Sequence, residues 1–302
     1  MDKIKLPKRF YTKGEEPVPG KSINYYNTNN KLLSAMVNNL QDSELKEIRG
    51  SSLGVLLRFY EMDFGWASRL VHYFLTWQIV CNKPYEIWSL IGVTPVRFSL
   101  HEFEYITGLD CEDVEVGKDL LKPEIVDTEE IIKFWKLLNV DINVGPSQDE
   151  LLAAMGECSK WKSSKDRVRL GYLALYATYI HGARSYHHVP VELARLVMDE
   201  DAWSSYPWGR IAFKNLIESV KNAEIWKYSY KIETGFVQVL QAWVYYSLPK
   251  FAKDYGRPLI ASPDDPPLLH FRGSSTSKYY KKHLLEQVFS HLSTNLCMSY
   301  SL

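Results

Sequence analysis

Three pairs of residues along this chain stand at the spacing that opens an α-helix: Ser99 with Glu102, Asp127 with Glu130, and Ser147 with Glu150. A side-chain oxygen at the N-cap accepts from the amide three residues on. The glutamate there accepts from the N-cap amide, so two otherwise orphaned backbone donors are satisfied together. Three such pairs predict a mainly helical protein. The helix opened at Ser99 is expected to stop at Gly108, which tolerates the left-handed conformation, with Leu109 closing over the last turn. Apolar spacing adds helices over 66–80, with Trp66, Leu70, Phe74 and Trp77 on one face, and over 168–179, ending near Gly182. Pro207 suits the first position of a helix through Val220. Further helices are expected over 235–247, interrupted at Pro249, and over 276–292, with Tyr280, Leu284, Val288 and His291 on one face.

Strands are sparse. A hairpin is expected near 85–98, turning at Thr94-Pro95, and a strand near 226–232, where Trp226-Lys-Tyr-Ser-Tyr-Lys-Ile232 alternates with a period of two. Pro7, Pro17, Pro19 and Gly20 punctuate a start without periodicity. The expected organisation is an extended or disordered N-terminal arm over 1–30, a single compact helical domain over 31–292, and a tail over 293–302. Pro258 to Gly273 reads as a loop. The fold class is mainly α with a few short β-strands.

The search for chemistry removes most function classes. Lys plus Arg equals Asp plus Glu at 36 each, without the basic excess usual in a binder of many phosphates. Lys160, Lys162, Lys165, Arg167 and Arg169 nevertheless form a basic stretch, and Glu102, Glu104, Asp110, Glu112, Asp113 and Glu115 an acidic one. The four cysteines, Cys81, Cys111, Cys158 and Cys297, are widely spaced and the start lacks an apolar signal segment, so an intracellular protein with free thiols is expected. The longest apolar stretch, 170–180, is far short of the ~20 residues that span a bilayer, so no membrane association is expected. Gly14 to Ser22 mimics a phosphate loop, but five residues separate its glycines and two prolines remove amides. His181, His187 and His188 lack chelating spacing, and no thiol or hydroxyl lies in a recognisable nucleophile motif. No catalytic, cofactor-binding or metal-binding residue is expected, and no enzyme activity.

Two blocks remain, dense in Arg, aromatic residues and Gly: Arg97-Phe-Ser-Leu-His-Glu-Phe-Glu-Tyr-Ile-Thr-Gly-Leu-Asp-Cys111 and Tyr206-Pro-Trp-Gly-Arg-Ile-Ala-Phe213. On a structural reading, Trp208 fills the core, Arg210 pairs with Asp199, Glu200 or Asp201, and Arg97 anchors the hairpin. On a functional reading, Arg97, Trp208 and Arg210 form an exposed surface with the residue types of protein hot spots or of base stacking.

These blocks, together with Leu6-Pro-Lys-Arg-Phe10, Glu86-Ile-Trp88, Gly235-Phe236 and Leu240-Gln-Ala-Trp243, resemble in their order a plant family, the domain of unknown function nineteen-eighty-five. The resemblance covers most of the chain from Lys5 to about Phe271. Members of that family look like products of mobile elements, and in longer ones the domain often precedes a cysteine protease for ubiquitin-like modifiers. This chain shows no ordered His, Asp and Cys protease motif, and the resemblance transfers no catalytic residue. A weaker similarity links it to the plant mobile domain. The expected function is a non-enzymatic protein-interaction domain of transposon origin, in nucleus or cytoplasm, docking through Arg97, Trp208 and Arg210 onto an unidentified protein partner. The alternative is a nucleic-acid-binding module in which the basic stretch converges with Lys278, Lys281 and Lys282.

Overall fold

Two of the three capping boxes form as spaced. In the computed structural model, which describes residues 8–12, 14–17, 24–25, 30–91, 94–112, 128–225, 227 and 230–274, the Ser99 amide donates to Glu102 at 2.8 Å and the Ser147 amide to Glu150 at 2.7 Å. The third helix starts one residue late: Thr128 is its N-cap, accepting from the Ile131 amide, and Asp127 lies outside the described residues. Thr128 is itself a good cap, so the register slides by one. A further box, Gln41 with Glu44, escapes a search for Ser, Thr, Asp or Asn caps.

The elements run β1 (Asn24–Tyr25), α1 (Lys31–Asn39), α2 (Asp42–Arg49), α3 (Gly54–Glu61), α4 (Ser68–Thr76), β2 (Ile87–Ile91), β3 (Thr94–Phe98), α5 (Leu100–Thr107), α6 (Glu129–Leu138), α7 (Gln148–Glu157), α8 (Ser164–Leu175), α9 (Val191–Arg195), α10 (Glu200–Ser205), α11 (Trp208–Asn222), β4 (Lys231–Ile232), α12 (Gln238–Ser247) and α13 (Pro249–Tyr255). The fold is compact and mainly helical. Gly108 ends α5 at φ 67°, as its position requires. The helix after Ser163 continues as a π-helical turn, Tyr176–His181, and stops at Gly182 with φ 59°. Pro207 is the cap of α11 rather than its first residue. The helix expected over 276–292 and the tail lie outside the described residues.

The hairpin β2–β3 is antiparallel, with Ile87 opposite Phe98 and Ile91 opposite Thr94. The helix expected over 66–80 is shorter, because its last residues are claimed by sheet pairing. The Ile79 amide donates to Trp88 O and the Leu90 amide to Trp77 O, both at 2.9 Å. On the other side, the Phe10 amide donates to Gln78 O and the Val80 amide to Lys8 O. The described part of the arm is therefore extended and paired to the body. It is also held by His72, which bonds Pro17 O at 2.9 Å and Tyr230 OH at 3.0 Å. Burial lowers the His72 pKa, so the ring is neutral: Nε2–H donates to Pro17 and Nδ1 accepts from the tyrosine. Of the strand expected over 226–232, the described residues form Lys231–Ile232, paired in parallel with the two residues of β1, while 226, 228 and 229 lie outside the described residues.

One apolar core draws on residues from Leu32 to Leu269. Aromatic rings dominate it. Trp243 lies 5.2 Å from Phe98 and 5.3 Å from Phe74, and Phe103 lies 5.7 Å from Phe213. Offset and edge-to-face geometry at these separations adds to simple area burial. Among the described residues, Phe and Trp are placed largely in the interior. No helix among the described residues is long and apolar enough to cross a membrane.

Candidate functional site

The two signature blocks, about a hundred residues apart in sequence, close on each other. The Gly209 amide donates to Asp110 O at 2.7 Å. A Cβ at Gly209 would stand 2.6 Å from both Asp110 O and Cys111 Sγ, so only glycine permits this approach. Arg210 then grips the same loop: its Nη2 donates to Cys111 O at 2.8 Å and its Nε to Glu112 O at 2.8 Å. Trp208 is 1% exposed, and its indole N–H donates to Trp203 O at 2.8 Å. Its ring packs on Trp203 at 4.4 Å, Tyr206 at 4.5 Å and Tyr176 at 5.2 Å.

This geometry corrects the expectation of an exposed Trp208–Arg210 surface. The tryptophan is core, because the α10–α11 corner turns it toward Trp203. The arginine is half-buried and reads backbone carbonyls. Arg97 is also engaged: Nη2 reaches Glu102 Oε1 at 2.8 Å and Nε spans both carboxylate oxygens, while the guanidinium lies 6.0 Å from the Trp88 ring. Glu102 is the same residue that caps α5, so Arg97 ties the hairpin to that cap. The 8-residue helix α5, about 12 Å long, separates the Arg97 cluster at its start from the Arg210 joint at its end.

The basic stretch divides in the same way. Lys160, Lys162 and Lys165 are exposed, but Arg167 and Arg169 are buried. Arg167 meets Glu44 at 2.6 Å and also donates to Trp161 O; Arg169 meets Glu130 at 2.7 Å and Asp166 at 3.0 Å. Burial alone would raise the Glu44 carboxyl, but hydrogen bonds from Arg167, the Gln41 amide and Ser164 hold it below its ordinary range. The stretch is not one surface, since α8 is buried continuously from Arg167 to Gly171 while the three lysines before that run stay exposed. Lys278, Lys281 and Lys282 lie outside the described residues.

Burial, with a smaller contribution from Glu104, pushes the Cys111 thiol up to about 12, and burial also raises Cys158. Neither is a ready thiolate at neutral pH. Among the described residues no group of three or more His, Cys, Asp or Glu is gathered to hold a metal ion. Burial, aided by His187, pushes His181 down to about 4 from 6.5. The unfolded chain binds that proton first, so His181 stabilises the fold fully above pH 6.5 and progressively less as pH falls toward 4. The full effect is about 3 kcal/mol. Denaturation midpoints measured between pH 7 and 4 should fall more steeply for the native chain than for His181→Gln; equal slopes would refute this assignment.

Sequence reading missed two features, the first a tyrosine pair of which one ring, Tyr105, lies inside the first signature. Tyr105 of α5 is 58% exposed and Tyr246 of α12 is 39% exposed, with ring centroids 5.1 Å apart. The signal was present in the helix phase: Phe103, Ile106 and Thr107 face inward, which turns Tyr105 out. An open groove of about 910 Å³ between α1 and the end of α3 is the second feature.

Fold and site together define a mainly helical domain whose most distinctive residues hold two distant parts of its own chain together. Residues 75–219 match the family described as Domain of unknown function (DUF1985), and this span is a domain of that family. Both signatures fall inside it. No curated protein and no solved structure matches the chain significantly.

Proposed function

We propose that this chain is a non-enzymatic protein-docking domain, derived from a plant transposon and acting in the nucleus or cytoplasm. The observation that carries the reading is the Tyr105–Tyr246 pair. Two large amphipathic rings held side by side on packed helices are hot-spot chemistry, with little conformational entropy left to lose on binding. The family resemblance supports the transposon origin. The buried, protonated thiols support the absence of nucleophilic chemistry. Nucleic-acid binding is the weaker reading, because two of the five cations in the basic stretch, Arg167 and Arg169, are buried and ion-paired.

The test is affinity capture from plant nuclear and cytosolic extracts, with and without nuclease. Partners are expected to survive nuclease and to fall by about tenfold or more with Tyr105→Ala plus Tyr246→Ala, the loss typical of a hot spot. Thermal unfolding of the double variant should stay close to that of the native chain. Capture abolished by nuclease, or unchanged by the tyrosine substitutions, would overturn the proposal.

A further inference from the structure

We infer that the Tyr105–Tyr246 pair, with the carboxylates of Glu104, Asp110 and Glu112, is a seat for an arginine-bearing segment of another protein. The inference rests on the docking function proposed above and names the chemistry of its partner.

Charge selects that partner. From 98 to 112 the chain carries four carboxylates and neither Lys nor Arg. Arg97 takes one of them, Glu102, at 2.8 Å. Glu104, which precedes Tyr105, and the exposed Asp110 and Glu112 beyond the end of α5 make no ion pair among the described residues. The helix also ends here, so the negative pole of its backbone dipole adds to the same field. The neighbouring cations are already engaged. Arg210 donates to the carbonyls of Cys111 and Glu112, and Lys250, four residues past Tyr246, has a partner of its own. Such a face attracts a cationic segment and repels a phosphate backbone.

The joint between the signatures holds the carboxylates in place. The Gly209 amide bonds Asp110 O, and Arg210 bonds Cys111 O and Glu112 O, so the path of residues 110–112 is fixed by α11. Within it the Glu112 amide donates to Asp110 Oδ1 at 2.8 Å, and Oδ2 makes no hydrogen bond among the described residues. A surface ordered before its partner arrives loses little entropy on binding.

Arginine suits the seat better than lysine. The two rings meet at 50° with centroids 5.1 Å apart, so neither lies flat on the other, and Tyr105 stands well out from the surface. A planar guanidinium stacks on a tyrosine face while its fork of N–H donors bonds a carboxylate. The compact ammonium of lysine does not combine the two.

Display selection tests this. A phage library of random heptapeptides is panned on the full chain after counter-selection on Tyr105→Ala with Tyr246→Ala. The expected result is enrichment of arginine-bearing sequences on the native chain alone. As a synthetic peptide, the leading sequence should bind about tenfold more weakly once citrulline, of the same shape but uncharged, replaces its arginines. Glu104→Gln with Asp110→Asn and Glu112→Gln should weaken it to a similar extent and flatten its dependence on salt. The amide at position 110 keeps the Oδ1 acceptor, and circular dichroism checks that the variant folds. Tyrosine-dependent sequences without arginine would overturn the arginine assignment and leave the docking surface standing. So would a leading peptide indifferent to citrulline or to the three amides. If no sequence depended on the tyrosines, the docking surface itself would fall, and this inference with it.

Discussion

Glu44→Ala should lower the unfolding free energy by about 3–5 kcal/mol, the range for stripping one partner from a buried ion pair. The carboxylate is 1% exposed and receives Arg167 Nε at 2.8 Å and the Ser164 hydroxyl at 2.7 Å. It also caps α2 through the Gln41 amide at 2.9 Å. Alanine leaves the guanidinium buried beside α2 without its counter-charge and uncaps the helix in the same step. Urea titration is the measurement: the midpoint should drop with the slope unchanged. Replacing the pair jointly, with Glu44→Met and Arg167→Met, should cost far less, because no charge is then stranded. A single alanine variant within about 1 kcal/mol of the native chain would show that the pair is open to water. The pH dependence has a defined sign. The folded carboxyl is held below its ordinary 4.5, so its contribution is present above that value and is lost as pH falls below it.

Gly209→Ala should be destabilising by about 3 kcal/mol or more, although alanine is the better helix former. The new methyl would meet Asp110 O at 2.6 Å and Leu109 O at 2.8 Å, both backbone atoms that cannot swing aside. The Gly209–Asp110 hydrogen bond and the Arg210 contacts should loosen with it. Gly156 in α7 is the internal control. A Cβ there meets nothing within 4 Å, so Gly156→Ala should stabilise by about 0.5–1 kcal/mol. Parallel thermal melts of the two variants should move in opposite directions. Movement in the same direction would refute the close approach.

Local rules carried the helices. The boxes at Ser99 and Ser147 and the stops at Gly108 and Gly182 are decided within four residues of chain, so they were legible. The failures share a cause. Residues 77–80 carry on the helical apolar spacing from Trp66 but pair instead with 8–10 and 88–90, and no local pattern announces an edge seeking a strand. The exposure of Trp208 depends on Trp203 and Tyr176, and the partners of Arg210 lie 98 and 99 residues away. Asp199, Glu200 and Asp201 are nearer in sequence, yet the guanidinium binds the carbonyls of Cys111 and Glu112. Tyr105 and Tyr246 sit on separate helices, and only their packing makes a pair of them.

The joint between the signatures has an asymmetry with evolutionary weight. Arg210 recognises Glu112 through its peptide oxygen, and nearly every residue carries the same oxygen in the same place. The Glu112 side chain is therefore free to drift without loosening the grip, whereas Gly209 and Arg210 admit almost no synonyms. One side of the contact stores its information in two letters, and the other stores it in the path of the backbone. Among relatives, invariance should then gather at 209 and 210, while position 112 wanders.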